Sequence, residues 1–276
     1  MNAQRTMFRI YGRLKRLIAP ELRYSQDLYE ETLKSHLTAE TAWLDLGCGH
    51  QVLPPWRAAE EQKLVARCRM IVGIDYDFDS LLRHQNLNHR VRGTITRLPF
   101  ADNSFDLVTA NMVVEHLDQP EEQFREVGRV LKPGGVFIFH TPNARGYATR
   151  LARLIPGGSK AKLAYILDGR EENDVFDTFY RANTEESIGH VAAAAGFEVC
   201  KIRMLVSDAV FGVVPPLAAL ELLWIKLLMT RILRPLRTTI IAVLRPRAEV
   251  AATEREHELR EAAYAVARRA APGSLG

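Results

Sequence analysis

Short apolar runs along this chain alternate with stretches in which apolar residues recur at helical spacing. That alternation predicts a largely parallel sheet covered by helices on both faces. Trp43-Leu44-Asp45-Leu46 reads as a first strand and Ile71-Val72-Gly73-Ile74 as a second. Arg92-Gly93-Thr94-Ile95 is a short third, and Phe105 to Ala110 a fourth. Glu121 to Val130 opens on acidic residues and carries Phe124, Val127 and Val130 on one stripe, with Pro120 suited to its first turn. Lys132-Pro133-Gly134-Gly135 then stops that helix and turns it into a fifth strand, Val136 to His140. Asn183-x-x-Glu186 reads as a capping box for a helix running to Ala195 and closed by Gly196. Phe197 to Val206 and Thr238 to Leu244 are the remaining strands.

Two segments depart from this alternation. Leu217 to Leu236 is apolar apart from Glu221, Lys226, Thr230, Arg231 and Arg234. Wound as a helix, it sets Ala218, Leu222, Trp224, Ile225, Leu228, Met229 and Ile232 on one broad face, with the cations largely opposite. The N-terminal stretch repeats the pattern, placing Met7, Phe8, Ile10, Tyr11, Leu14 and Leu17 among Arg5, Arg9, Arg13, Lys15 and Arg16. An apolar face bearing Trp against a cationic one is the pattern of a helix lying in a membrane interface. A pair of core-packing helices or an oligomer contact would share it.

Composition adds bounds. The chain has 276 residues, 47% hydrophobic and 25% charged, which is ordinary for a globular protein and excludes wholesale disorder. That length buries a sizeable core as one large α/β domain with additions. The net charge of +4 matters because cations cluster in the two amphipathic segments and in Ala144 to Leu167, which has no acidic residue. Basic charge also suits RNA, but no aromatic platform or accessory RNA module is evident, and no nucleic-acid partner is expected. Cys48, Cys68 and Cys200 have neither paired nor metal-ligand spacing and read as reduced thiols in a cytosolic compartment. The N-terminal stretch lacks the apolar core of a secretory signal, and no run approaches the roughly 18 uncharged residues of a membrane span. The expected localisation is cytoplasmic, or peripheral on the inner face of the cell membrane. The expected organisation is a basic amphipathic segment over 1–23, an α/β domain over 24–245 with insertions at 144–182 and 207–236, and a charged helix or tail over 246–276.

The most pointed chemistry lies in Leu44-Asp45-Leu46-Gly47-Cys48-Gly49-His50, followed one helix-length later by Val72-Gly73-Ile74-Asp75-Tyr76-Asp77. A strand running into two closely spaced glycines lets a ligand lie against the backbone. An acidic residue at the tip of the next strand is placed to accept from a ribose. Val52 stands where a dinucleotide fold has its third glycine, so the pyrophosphate fingerprint fails. What remains suits a nucleoside cofactor without phosphates.

Asp45-x-Gly47-x-Gly49, Asp75, the run Leu98 to Asp106 and Leu131-Lys132-Pro133-Gly134-Gly135 stand in one order and spacing. Together they resemble the class I S-adenosylmethionine-dependent methyltransferases. The resemblance is unbroken from Tyr24 to Asn143 and weaker over 183–206 and 238–245. It implies a doubly wound, mostly parallel, Rossmann-like α/β sheet of seven strands, the last antiparallel, with inserted helical segments capping the carboxyl edge. It implies S-adenosyl-L-methionine as cofactor. Asp45, Gly47, Cys48 and Gly49 would lie under its methionine end with Asn111 nearby. Asp75 would hold the ribose, Tyr76 would pack on the adenine, and Thr94 and Ile95 would face the adenine amino group. Relatives carry a carboxylate at Thr94 and often a glycine at Gln51, and a hydroxyl accepts less strongly than an anion. Quinone-pathway O-methyltransferases, a more distant similarity, carry Glu-x-x-Glu-His where this chain has Met112-x-x-Glu115-His116. Two ligands are a poor site for a hard cation, and no metal is expected.

Methyl transfer to a hydroxyl gains from a base, which makes His116 and His140 candidate catalytic residues; Tyr180, the third candidate, and Arg181 stand just before the last sheet-covering helix, in a position to face the acceptor. Each also reads as a hydrogen-bonded structural residue. The function implied is O-methylation of a lipid-linked, glycan or isoprenoid-like acceptor at the membrane surface, with peripheral contact through 217–236. Two other readings stand beside it. One is a soluble small-molecule methyltransferase whose apolar helix is a homodimer contact. The other is a non-catalytic cofactor-binding sensor or scaffold.

Overall fold

The computed structural model describes residues 2–154, 177–212 and 214–247. The basic run through Lys160 and Lys162 and the tail beyond Arg247 lie outside the described residues. The strands are β1 (Ala42–Leu46), β2 (Met70–Asp75), β3 (His89–Arg92), β4 (Phe105–Asn111), β5 (Leu131–Pro142), β6 (Phe197–Leu205) and β7 (Thr239–Pro246). The helices are α1 (Asn2–Ile18), α2 (Ser25–Lys34), α3 (Ala58–Val65), α4 (Phe78–Arg83), α5 (Pro120–Val130), α6 (Tyr147–Leu154), α7 (Glu185–Ala194) and α8 (Pro215–Leu228).

The sheet order is β3-β2-β1-β4-β5-β7-β6, and β7 runs antiparallel to both of its neighbours. The expected doubly wound seven-stranded sheet is therefore present. Side chains alternate across it. Leu44, Val108, Phe137 and Phe139 meet α5 and α7 on one face through Phe124, Val127 and Ile188. Trp43, Leu107, Ile138 and Ile241 meet α2 and α3 on the other through Tyr29, Leu33 and Leu64. Burial on both faces explains why the central strands read as continuous apolar runs.

Several boundaries differ from the sequence reading. The third strand ends at Arg92, because Gly93 N donates to Asp75 O at 3.0 Å and the chain then turns, bridging Thr94 to Arg97. The fifth begins at Leu131, and a register shift between Phe105 and Leu107 absorbs the Lys132–Gly135 turn. The capping box of α7 uses Thr184 and Ser187 rather than Asn183 and Glu186. Asn183 is buried instead, donating to Thr141 Oγ1 at 2.6 Å and to Pro142 O at 3.0 Å.

The chain between β6 and β7 lies at the carboxyl edge of the parallel strands and carries α8. Its inward residues, Ala218, Leu222, Ile225 and Leu228, are buried, and α1 packs on it through Tyr11, Leu14 and Ile18. Lys15 Nζ and Tyr11 Oη both bond Asp208 Oδ1, at 2.6 and 3.0 Å. The two amphipathic segments of the sequence thus pair with each other. The single helix expected over 217–236 stops at Leu228, where the Arg237 guanidinium donates to the carbonyls of Leu228, Met229 and Met204. Glu221, the one acid of α8, accepts from Tyr147 Oη, Val210 N and Phe211 N at 2.7, 2.8 and 2.8 Å. Three donors satisfy a carboxylate that would be costly to bury alone. Asn143, just past β5, ties this cap to the sheet by donating to Pro235 O and Arg237 O.

Candidate active site

The loop after β1 is built from two left-handed residues, Gly47 at φ +61° and Gly49 at φ +51°. Gly47 N donates to Ile74 O at 2.8 Å, and a Cβ at Gly47 would lie 2.6 Å from Val113 Cγ2. Glycine is therefore required twice there, by backbone conformation and by contact with the turn after β4. Gly49 N donates to Asp75 Oδ2 at 2.8 Å, while Asp77 N donates to Asp75 Oδ1 at 2.9 Å. A carboxylate offers about four lone-pair sites, so both oxygens retain accepting capacity. Tyr76, beside it, is half exposed.

Asp45 and Cys48 turn into the sheet face beneath α2. Asp45 Oδ1 accepts from Thr109 Oγ1 at 2.5 Å, and Thr109 accepts from Trp43 Nε1 at 2.6 Å. Burial pushes the Asp45 carboxyl up to about 8, against the lowering effect of the Thr109 bond. Burial likewise raises the Cys48 thiol, so it is held as a neutral packing group rather than a thiolate.

Asn111 and His140, paired across β4 and β5, lie on this same face under the first turn of α2. His140 Nδ1 is 3.0 Å from Asn111 Oδ1, and Asn111 Nδ2 donates to Gln26 Oε1 at 3.4 Å. This chain makes Nδ1 the protonated nitrogen of His140 and leaves Nε2 with its lone pair. Tyr29 stacks on the imidazole at 5.6 Å between centroids and 26° between planes. Burial alone lowers His140 to about 4, so it is a neutral ring near pH 7. Gln26 Nε2, Tyr29 Oη and His140 Nε2 are all buried without a hydrogen-bond partner, and the Tyr29 hydroxyl lies close enough to Thr109 for that hydroxyl to lower its pKa against the larger effect of burial. Each such group costs about 1–3 kcal/mol. The three lie together at the carboxyl edge, while His84 Nε2, Asn183 Oδ1 and Thr239 Oγ1 are the other such atoms among the described residues.

The other candidates lie on the opposite face. Glu115 is buried and accepts from Thr141 Oγ1 at 2.9 Å, and its carbonyl accepts from Phe179 N and Tyr180 N. His116 Nδ1 is 2.7 Å from Asp177 O, and its Nε2 is 3.9 Å from Glu115 Oε1. Tyr180 sits at φ +53° with the Arg153 guanidinium 4.4 Å over its ring. Arg181 Nη1 donates to Asp118 O at 2.5 Å. The structure thus brings His116 and Tyr180 together through the Glu115 backbone and sets both on the face opposite His140. Thr94 is exposed and its hydroxyl pairs with Thr96 Oγ1 at 2.8 Å, whereas Ile95 is partly buried against the core. Among the described residues, no three His, Cys, Asp or Glu side chains gather as a metal site.

These features fit S-adenosylmethionine. The bare glycine loop would admit its backbone-hugging part, Asp75 has lone pairs that would suit ribose hydroxyls, and Asp45 would suit a cationic end once that charge draws off its proton. Gln26, Tyr29 and Thr109 were missed from the sequence. The only local signal was a glutamine inside the apolar stripe of α2, at i and i+3 with Tyr29.

Residues 44–139 match the family model described as a methyltransferase domain. A protein of Encephalitozoon cuniculi named as a methyltransferase is 27% identical over 201 residues, 71% of this chain and 89% of its own length. One of Mycolicibacterium smegmatis, named as an S-adenosylmethionine-dependent methyltransferase, is 33% identical over 128 residues, 43% of this chain and 50% of its own. The chain thus spans most of the first relative and half of the second. A chain from the complex of the Haloferax volcanii Trm112 methyltransferase activator with a methyltransferase superposes with a TM-score of 0.50 at 16% identity, covering 79% of this chain and 88% of that one. That likeness is one of fold.

Proposed function

We propose that this chain, whose residues 44–139 match a methyltransferase domain, is an S-adenosylmethionine-dependent methyltransferase that methylates a hydroxyl of a lipid-linked, glycan or isoprenoid-like acceptor at the membrane surface. The bound cofactor supplies a methyl group already activated on a sulfonium sulfur, ready for a single in-line displacement. The protein's part is alignment and exclusion of water. The Gly47–Gly49 loop and Asp75 hold the nucleoside. Asp45 faces the ammonium end, directly or through water.

One observation carries the acceptor side of this reading: the three unpaired polar atoms of Gln26, Tyr29 and His140, buried beneath α2. A hydroxyl brings both a donor and an acceptor to such a cluster. His140 Nε2 would accept the hydroxyl hydrogen bond and take its proton, while the methyl group would pass to the oxygen and leave the cofactor as S-adenosylhomocysteine. Asn111 holds the ring in the tautomer that leaves Nε2 free. A conjugate acid near 4 releases that proton readily to the next acceptor, so His140 orients and relays rather than stores it. His116 and Tyr180 act from the opposite face by shaping the acceptor entrance.

The test is transfer of isotope-labelled methyl from S-adenosylmethionine by the purified full chain to fractionated cell extract. The expected result is labelled product in the organic phase with its label stable to mild base, as an ether is. Label confined to water-soluble small molecules would establish a soluble acceptor instead. Absence of both transfer and S-adenosylhomocysteine binding would overturn the catalytic reading.

A further inference from the structure

The helix α8 is apolar on its inner and outer sides alike. Its inner side is buried against α1, yet Leu217, Leu220, Leu223, Trp224 and Leu227 form a second apolar row pointing outward, with Leu220 65% exposed. Ile232, beyond the helix, is 88% exposed. A helix apolar on both sides is normally covered on both. This outer row differs from the face drawn from the helical wheel, since Leu228 belongs to the core and Trp224 to the outside.

Charge decides what covers it. Lys226 and Arg231 flank the row and are exposed, as are Arg9, Arg13 and Arg16 on the neighbouring α1. Arg234 and Arg237 do not belong to this set: the first pairs with Glu185, the second caps α8. There is no acid in α1, and the one acid of α8, Glu221, is buried and bonded internally. A twofold self-contact would set this patch against itself and bring cations against cations with nothing to offset them. An anionic lipid surface supplies both the apolar layer and the countercharge.

Resting on the lipid-borne acceptor proposed above, we infer that the outer face of α8 docks the enzyme on an anionic bilayer. Because the cap is bonded to the sheet through Asn143, docking brings the carboxyl edge, and with it the active site, to the surface that carries the acceptor.

The experiment is co-sedimentation of the full chain with phosphatidylglycerol–phosphatidylcholine vesicles, with S-adenosylhomocysteine calorimetry on the same samples. Wild type should bind, more weakly as salt rises. The variant Leu220→Ser, Leu223→Ser, Leu227→Ser should lose at least tenfold in vesicle binding and keep its calorimetric affinity. If that variant fails to fold, Lys226→Gln with Arg231→Gln serves instead, and should lose about fivefold per charge. Wild type ignoring the vesicles, or the variants binding as well as wild type, overturns the docking whatever the methyl-transfer assay shows. A wild-type dimer that the leucine variant converts to monomer would assign the face to a second copy and overturn it too. Vesicle binding without any cofactor binding would strike the methyl-transfer reading alone.

Discussion

Gly49, in the loop after β1, and Asp75, the last residue of β2, are joined by a hydrogen bond from the Gly49 amide to Asp75 Oδ2 at 2.8 Å. The carboxylate thus has two tasks: it braces the glycine loop from outside and presents its remaining lone pairs to whatever lies above. Asp77 N completes the brace on the other oxygen.

Asp75→Ala should therefore weaken S-adenosylhomocysteine binding about ten- to hundredfold, or about 1.4–2.8 kcal/mol. Asp75→Asn keeps one acceptor oxygen and should fall between the two. Titration calorimetry measures both, and wild-type affinity in a folded Asp75→Ala protein removes the residue from the site.

At Gly47 and Gly49 the same substitution should have unequal effects. A Cβ at Gly49 meets nothing within 4 Å, so Gly49→Ala carries only left-handed backbone strain, about 1–2 kcal/mol. Gly47→Ala adds the collision with Val113 and should destabilise more in urea unfolding. Combining it with Val113→Ala should recover the packing part and leave the strain. Equal losses for the two single variants would contradict this loop geometry.

Stability should fall as pH rises from about 6.5 to 8. The Asp45 carboxyl is raised from 3.8 to about 8 on folding, so the folded state holds a proton that the unfolded chain has already released. That contribution is complete below the unfolded value and is lost through the folded one, at no more than about 1.4 kcal/mol per pH unit. His140 and His84, both lowered to about 4 by burial, act in the opposite sense, but only below about 6.5. Asp45→Asn should flatten the slope in denaturant melts across this window. In wild type, binding a ligand ammonium favours the ionised acid, so cofactor affinity should rise with pH and binding should release protons. Calorimetry in buffers of different ionisation enthalpy reads that release directly.

His140 and His116 should separate kinetically. His140→Ala should lower kcat by about 10²–10⁴ while S-adenosylhomocysteine affinity stays near wild type. His116→Ala loosens the hold on Asp177 and should raise KM more than it lowers kcat. Steady-state kinetics with the identified acceptor decides, and the reverse pattern would exchange their roles.

What the sequence determined by itself was local. The two strands bounding the run from Trp43 to Asp75, the helix ending at Val130 and the two left-handed glycines are set by side-chain periodicity and by backbone freedom within a few residues. Such preferences hold wherever the segment lies. The doubly wound seven-stranded sheet and the antiparallel β7 were legible only through the resemblance, since no short-range preference orders distant strands. Tertiary structure decided the rest. It brought Gln26 and Tyr29 against Asn111 and His140, set His116 across the sheet from His140, and gave Asn183 to Thr141 rather than to a helix cap. It also selected the outward face of α8. α8 carries leucines on its inner and outer sides alike, so the wheel alone does not say which of them is buried. Packing against Tyr11, Leu14 and Ile18 of α1 chose the inner side, and bonds to Glu185 and to the end of α8 withdrew Arg234 and Arg237 from the surface. These are contacts between residues far apart in sequence, whose energies exist only once the sheet has brought their partners together.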